Sequence, residues 1–246
     1  VEGNEGLCDF EGLEGLTSVG RDLLIENNPS LSNLNGLRAL ARIGGSLTVA
    51  RNASLQNLDG LSHLETVAES LIVRQNDSLG NVDGLSRISS ISEAVDFTGN
   101  PRLESLGGLR EITDIGFDLS VSSCSISNFD GLENLERIGG DFTIDSNQNL
   151  TDLRGLSCLK ELEGTFHVTR NPRLESFRGL EELELIDRAL IVTDNETLEN
   201  LDGVEGLSSI GGYLQIEKNP NLRKIDGLKK LTTVGLARND YDTYYD

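Results

Sequence analysis

The sequence contains no methionine and no tryptophan, and it has only three cysteines in 246 residues. Because three is an odd number, at least one of Cys8, Cys124 and Cys158 is free or bonds outside the chain, which excludes a fully paired internal disulfide framework. No apolar run approaches the ~18 residues of a membrane-spanning helix, and the first residues contain neither a start methionine nor a signal peptide. We therefore expect a processed chain or a fragment that does not insert directly into a membrane.

Basic residues are scarce as well, since 21 Lys and Arg stand against 41 Asp and Glu and give a formal net charge of −20. Phosphate binding needs clustered Lys and Arg, so the composition excludes DNA or RNA as a partner and argues against anionic membrane surfaces. Hydrophobic residues make up 37% of the chain, which together with glycine is enough for a folded protein. Cationic partners and metal ions stay open.

The sequence also lacks a recognisable catalytic arrangement of side chains. The two histidines, His63 and His167, occupy different phases of the repeat described below and are not placed to share a zinc ion. A Ser/His/Asp set can be drawn from Ser122, His167 and Asp145, but it would lie on an open sheet without a pocket or a nucleophile elbow. We therefore predict a non-enzymatic protein without a cofactor.

What the sequence has in abundance is a repeat, with steps of 24 residues and a single step of 23. The copies start at Leu7, Leu31, Leu55, Leu79, Leu103, Ile126, Leu150, Leu174, Leu198 and Leu222. In the copy 31–54, the positions that are apolar in nearly every copy are Leu31, Leu34, Leu37, Leu40, Ile43, Leu47 and Val49. The last two columns alternate with polar residues and are β-branched in part, which predicts one short strand per turn.

Stacking such units predicts a solenoid of about ten turns, with one parallel β-sheet of short strands on one face. The spacing of three in the Leu-Gly segment is typical of 3₁₀ or short helical turns, which we place with the loops on the other face. We predict a single domain over residues 1–236. Residues 237–246 are an acidic, tyrosine-rich tail or partial cap, because the pattern fades there.

Glycine recurs at one phase of every copy, as in Gly36, Gly60 and Gly131. This predicts either a positive φ or an approach too close for a Cβ atom. An acidic or amide residue often precedes the glycine, at Asn35, Asp59, Asp83, Asp130, Asp202 and Asp226. We expect these side chains to accept backbone N–H groups, and the alternative is a row of metal-binding carboxylates.

A second polar column follows each strand. Its members are Asn28, Asn52, Asn76, Asn100, Cys124, Asn147, Asn171, Asn195 and Asn219. An amide can donate and accept, so we predict a structural ladder that pairs the peptide groups of neighbouring turns. Of four N-x-S/T matches, those at Asn52, Asn76 and Asn195 fall in this ladder, which leaves only Asn149 as an acceptor for a glycan.

These residues resemble leucine-rich repeats, L-x-x-L-x-L-x-x-N/C-x-L, which also tolerate cysteine in place of asparagine as at Cys124. IGGSLTV, IGGDFTI and IGGYLQI are similar to the receptor L domain of insulin and epidermal-growth-factor receptor ectodomains, and LQNLDGLSHL and LENLDGVEGL to internalin-type bacterial adhesins. The resemblance covers residues 7–236. It implies a right-handed leucine-rich-repeat solenoid and an extracellular or cell-surface recognition or adhesion module. In contrast to receptor L domains, this chain is nearly periodic and lacks terminal cysteine pairs.

The candidate ligand face is the outward side of the strands. Its members are Asp96, Asp118, Ser120, Asp141, Thr143, Asp145, His167 and Thr169. This acidic and hydroxyl patch is either a solvated face, a docking surface for a basic protein partner, or a weak Ca²⁺ site. Six of seven phenylalanines fall in core columns and leave only Phe117 and Tyr213 on the surface, which disfavours a site built on aromatic platforms. The alternative function is a structural subunit that self-assembles into a surface layer or filament.

Overall fold

The computed structural model describes residues 1–235, and the backbone coils into a parallel β-solenoid of about nine turns, which confirms the predicted solenoid. One strand per turn joins a continuous parallel main sheet in chain order. Its strands are Leu23–Glu26, Leu47–Ala50, Leu71–Arg74, Val95–Asp96, Leu119–Ser122, Phe142–Asp145, Phe166–Thr169, Leu190–Thr193 and Leu214–Glu217. The strand phase of the tenth copy and the tail predicted over 237–246 lie outside the described residues.

A second line of two-residue strands runs along the solenoid, beyond the one sheet that the sequence predicts. Three of them form one small sheet and seven form another. They are Ser18–Val19, Arg42–Ile43 and Thr66–Val67, then Ser90–Ile91, Asp114–Ile115, Arg137–Ile138, Glu161–Leu162, Leu185–Ile186, Ser209–Ile210 and Thr233–Val234. Each contains the isoleucine-phase core column, whose mostly β-branched residues suit an extended backbone.

The predicted 3₁₀ turns form in half of the copies. They are Asn35–Leu37, Asp59–Leu61, Asp83–Leu85, Gly107–Leu109 and Asp226–Leu228. In these copies the repeated glycine has an ordinary negative φ, but a Cβ atom on Gly60 would lie 1.9 Å from the carbonyl oxygen of Leu34 in the preceding turn. Close approach between turns therefore requires glycine there.

In the other copies the same glycine adopts a positive φ, as at Gly131 (109°). The Gly131 N–H donates to Oε1 of Glu133, two residues later, at 2.9 Å. Glu14, Glu181 and Glu205 accept the equivalent bond, whereas the five 3₁₀ copies carry Arg, Ser or Lys at this position. A glutamate two residues after the glycine thus accompanies four of the five positive-φ turns, and the fifth, at Gly155, carries Ser157 instead.

The prediction that the residue before the glycine accepts backbone N–H groups is wrong, because the accepting side chain lies two residues earlier. Within residues 1–235, the backbone N–H of Asp59 donates to Oδ1 of Asn57 at 3.1 Å, and the N–H of Asp83 donates to Oδ1 of Asn81 at 3.2 Å. No backbone N–H in that part of the chain donates to the side chains of Asp59 or Asp83. Asn57 and Asn81 each form an Asx turn, because an Asn or Asp side chain readily accepts the backbone N–H two residues ahead.

The asparagine column lies inside the coil, and every member from Asn28 to Asn195 is fully buried. Oδ1 of Asn171 accepts the backbone N–H of Asn147 at 3.0 Å, and its Nδ2 donates to the carbonyl oxygens of Ile144 and Thr169 at 3.0 and 2.9 Å. Its own N–H donates to Oδ1 of Asn195 at 3.0 Å. The bonds therefore run from turn to turn.

The column also contains one rung that the sequence analysis missed and one rung that is not an asparagine. Asn4 donates its backbone N–H to Oδ1 of Asn28 at 3.0 Å, so the N-terminal segment supplies a first rung that the sequence analysis missed. At the 23-residue step, the Cys124 thiol donates to the Phe97 carbonyl oxygen at 2.8 Å, and the Cys124 N–H donates to Oδ1 of Asn147 at 3.0 Å. Burial raises the pKa of the Cys124 thiol to about 12, so this cysteine stays a neutral structural donor.

We predict that Asn171→Leu lowers the free energy of unfolding by about 1–3 kcal/mol, because it leaves a buried N–H and a buried carbonyl oxygen unpaired. Urea denaturation would measure this. The control is Gln56→Leu, at an exposed amide whose side chain makes no hydrogen bond within residues 1–235, and it should change stability by no more than about 0.5 kcal/mol. Equal midpoints for the two variants would contradict the ladder.

We also predict that Gly60→Ala destabilises the protein by about 1–3 kcal/mol or more, because the added methyl group overlaps the Leu34 carbonyl group. Gly80→Ala is the matched control, since its Cβ atom would meet nothing closer than 3.9 Å. Thermal unfolding of both variants would test the difference. A Gly60→Ala protein as stable as the control would show that the turns are not held this closely.

Candidate functional site

The outward side of the main sheet consists of three columns of residues. The first column lies immediately before the strands and contains Asp22, Ser46, Ser70, Ala94, Asp118, Asp141, Thr165, Ala189 and Tyr213. The second column contains Leu24, Thr48, Ile72, Asp96, Ser120, Thr143, His167, Ile191 and Gln215. The third contains Glu26, Ala50, Arg74, Thr98, Ser122, Asp145, Thr169, Thr193 and Glu217. All eight candidate residues therefore lie on one face, in neighbouring turns.

Register brings several of them side by side. Ser120 pairs with Thr143, Thr143 with His167, and Asp145 with Thr169. Neighbouring strands of a sheet are about 4.8 Å apart, so these side chains form a continuous polar strip. His167 is half-buried and pairs with Ile191 on the next strand, where the polar strip ends.

Asp96 does not belong to a free acidic patch. Its side chain is buried, with a relative exposure of 6%, and it forms an ion pair with Arg74, whose Nε donates to Oδ2 at 2.7 Å. Its Oδ1 accepts the backbone N–H of Thr98 at 2.8 Å. This hydrogen-bonded carboxylate raises the pKa of the Arg74 guanidinium. Asp96 is therefore neutralised within the fold and is not open to a basic partner.

Asp118 and Asp141 bond the backbone of the next turn. The N–H of Asp141 donates to Oδ1 of Asp118 at 2.7 Å, and the N–H of Thr165 donates to Oδ1 of Asp141 at 2.7 Å. Asp22 accepts the N–H of Ser46 in the same way at 2.8 Å. These aspartates pair backbone groups at the start of the strands, a role that the sequence analysis missed.

Asp145 is also engaged. Its carboxylate accepts hydrogen bonds from Thr169 Oγ1 at 2.9 Å, Ser146 Oγ at 3.1 Å and Arg170 Nη2 at 2.6 Å. Two of the four candidate aspartates thus pair with arginines, and Arg188 lies 4.0 Å from Asp141. Among residues 1–235, only Asp118 of these four has no cationic partner. The patch is less negative than the sequence alone suggests.

The candidate Ca²⁺ site has no support in this geometry. Within the described part of the chain, no group of three or more His, Cys, Asp and Glu side chains is placed to hold a metal ion.

The Ser/His/Asp set drawn from the sequence is not assembled. Within residues 1–235, Ser122, His167 and Asp145 are not joined by hydrogen bonds, and Ser122 is buried at 7% exposure. Across residues 1–235 all three cysteines are free thiols.

The potential glycosylation sites divide as the ladder requires. Asn52, Asn76 and Asn195 are fully buried. Asn149 is half-buried, and its Oδ1 accepts a hydrogen bond from Arg173 at 3.3 Å. The three ladder asparagines are therefore closed to a glycan in the folded protein.

The structure adds a groove that the sequence analysis missed, at the corner where the coil enters the strands in the middle of the main sheet. It has a volume of about 250 Å³ and is lined by Ser70, Glu93, Ala94, Phe117 and Asp118. Phe117 and Tyr213 have relative exposures of 60% and 55%, as their phases predict. The signal for the groove was present in the sequence, because Phe117 stands where Gly45, Gly140, Gly164 and Gly212 stand in other turns.

Comparison with known proteins found no match for this chain, either among models of protein families or among curated proteins. The resemblance to leucine-rich repeats consequently depends on the pattern of the chain itself. No helix within residues 1–235 is both long and apolar enough to cross a membrane.

We predict that Asp141→Ala lowers stability by about 1 kcal/mol, because the Thr165 N–H loses its acceptor. Asp141→Asn is the matched control, since it removes the charge and keeps an acceptor oxygen, and it should retain most of the stability. Urea titration of both proteins measures the difference. If the two variants are destabilised equally, the charge of Asp141 matters and not its bond to the next turn.

Proposed function

We propose that this chain is a non-enzymatic recognition or adhesion module of the leucine-rich-repeat, receptor L-domain type. In this proposal it acts outside the cell or at the cell surface and binds a protein ligand through the main-sheet face. The 24-residue period, the L-x-x-L spacing and the buried asparagine column support the assignment to this type.

The observation that carries the proposal is the open face of a nine-stranded parallel sheet. Parallel sheets are as a rule covered on both sides. Here the second column presents Leu24, which is 42% exposed, and half-buried Ile72, Thr143 and His167, with no covering element among residues 1–235. Such a mixture of apolar, hydroxyl and imidazole groups is compatible with the composition of protein interfaces.

Charge supports a basic ligand. A net charge of −20 attracts cationic proteins over long range and speeds their association at low ionic strength. Because Asp96 and Asp145 are paired with arginines, the attraction comes from the whole molecule more than from these two residues. Binding that weakens with added salt follows from this.

A photo-crosslinking residue at Thr143, on the face, should give covalent adducts with a protein partner when the chain is exposed to intact cell surfaces. The same residue at exposed Asn134, away from the strands, is the control and should give none. Adducts from position 134 alone would contradict a ligand site on the sheet face.

Self-assembly into a surface layer or filament is the alternative function, and light scattering over a concentration series separates it. We expect a constant mass near 26.7 kDa, with and without millimolar Ca²⁺. Growth of the mass with concentration would favour the structural subunit. Dependence of that growth on Ca²⁺ would indicate that the aspartates of the face form an assembly site.

A further inference from the structure

The groove lined by Ser70, Glu93, Ala94, Phe117 and Asp118 lies where the repeat is interrupted. In the two preceding steps a serine of the first column donates to a glutamate of the next turn. Ser46 Oγ donates to Glu69 Oε2 at 3.3 Å, and Ser70 Oγ donates to Glu93 Oε2 at 2.8 Å. At the third step Ala94 replaces the serine and Phe117 replaces the glutamate, so a polar pair becomes an apolar one.

Nothing in the core requires this aromatic ring. Phe117 is 60% exposed, and its phase is occupied by glycine in four other turns. The solenoid therefore forms without a side chain at this position. An exposed phenylalanine beside Ala94 gives the groove one apolar wall.

The other wall is negatively charged and held in place. Glu93 uses Oε2 to accept from Ser70, and Asp118 uses Oδ1 to accept the N–H of Asp141. In the described residues, neither carboxylate has an ion pair, and the second oxygen of each makes no hydrogen bond. Two anchored carboxylates thus keep free acceptors beside an exposed aromatic ring.

We propose that this groove binds an arginine side chain of the protein ligand, an inference that rests on the proposed function. A guanidinium group is planar, so it can stack on Phe117 while its N–H groups donate to Glu93 and Asp118. A volume of about 250 Å³ suits a single side chain and is smaller than a typical pocket for a drug-sized molecule. Lysine has one compact ammonium group and cannot make both contacts equally well.

The test is an NMR titration of the ¹⁵N-labelled 246-residue chain with N-acetyl-arginine amide and, separately, N-acetyl-lysine amide. We expect shifts concentrated at the amides of Glu93, Ala94, Phe117 and Asp118, with arginine binding about three- to fivefold more tightly than lysine, the size of one cation–π contact. Phe117→Gly should abolish this preference and is expected to fold, since other turns carry glycine there.

Glu93→Gln should weaken arginine binding several-fold. Its matched control is Glu69→Gln, which changes the equivalent residue one turn earlier, where no aromatic wall is present, and should leave binding unchanged. Equal affinity for arginine and lysine, shifts spread along all the acidic turns, or unaltered binding in Phe117→Gly would each overturn the proposal.

The two proposals fail separately. Loss of arginine selectivity with persistent crosslinks from Thr143 would remove the arginine site and leave recognition by the sheet face standing. Selective arginine binding without crosslinks from Thr143 would support the groove as an arginine site and overturn the larger ligand face.

Discussion

The hydrogen bond from one turn's backbone to the next turn's asparagine is the interaction on which the rest of the structure depends. A coil with short strands leaves peptide groups unpaired at each corner, and buried unpaired groups are costly. The buried amide of Asn171 bonds backbone groups of its own turn and of the turn before it. Within residues 1–235, every buried side-chain nitrogen and oxygen has a partner. Since each turn satisfies its neighbour, a single turn cannot be stable alone.

Close stacking imposes a second requirement on the opposite side of the coil. Gly60 is needed because the Leu34 carbonyl group occupies the space of a side chain, and Gly131 meets the same crowding with a different backbone conformation. Glu133 stabilises that second form through the Gly131 N–H. One glycine column thus serves two turn geometries, and a glutamate two positions later accompanies the positive-φ form in four of its five turns.

The sequence was sufficient to predict the solenoid, the strands of its main sheet, its buried asparagines and the face that carries Thr143 and His167, because these features repeat and each copy reports on the others. It was insufficient for pairs that occur once. The ion pair between Arg74 and Asp96 joins residues 22 positions apart, and only the rotamers in the folded chain bring them together. For the same reason Asp118 and Asp141 looked like free surface charges, although their carboxylates bond the backbone of the following turn.

This contrast indicates where functional information lies in a repeating chain. Positions that recur are explained by stacking, so a ligand-specific feature must depend on residues that depart from the period. The number of acidic residues on the face is a poor guide to the position of a site, since arginines neutralise part of that face. Phe117 and Ala94 are better guides, because they replace a polar pair that two neighbouring turns retain and they leave an aromatic ring in solvent. An aromatic ring exposed to water is unfavourable, and the fold of the solenoid does not require it. Burial of the ring against a partner would remove this apolar surface from water.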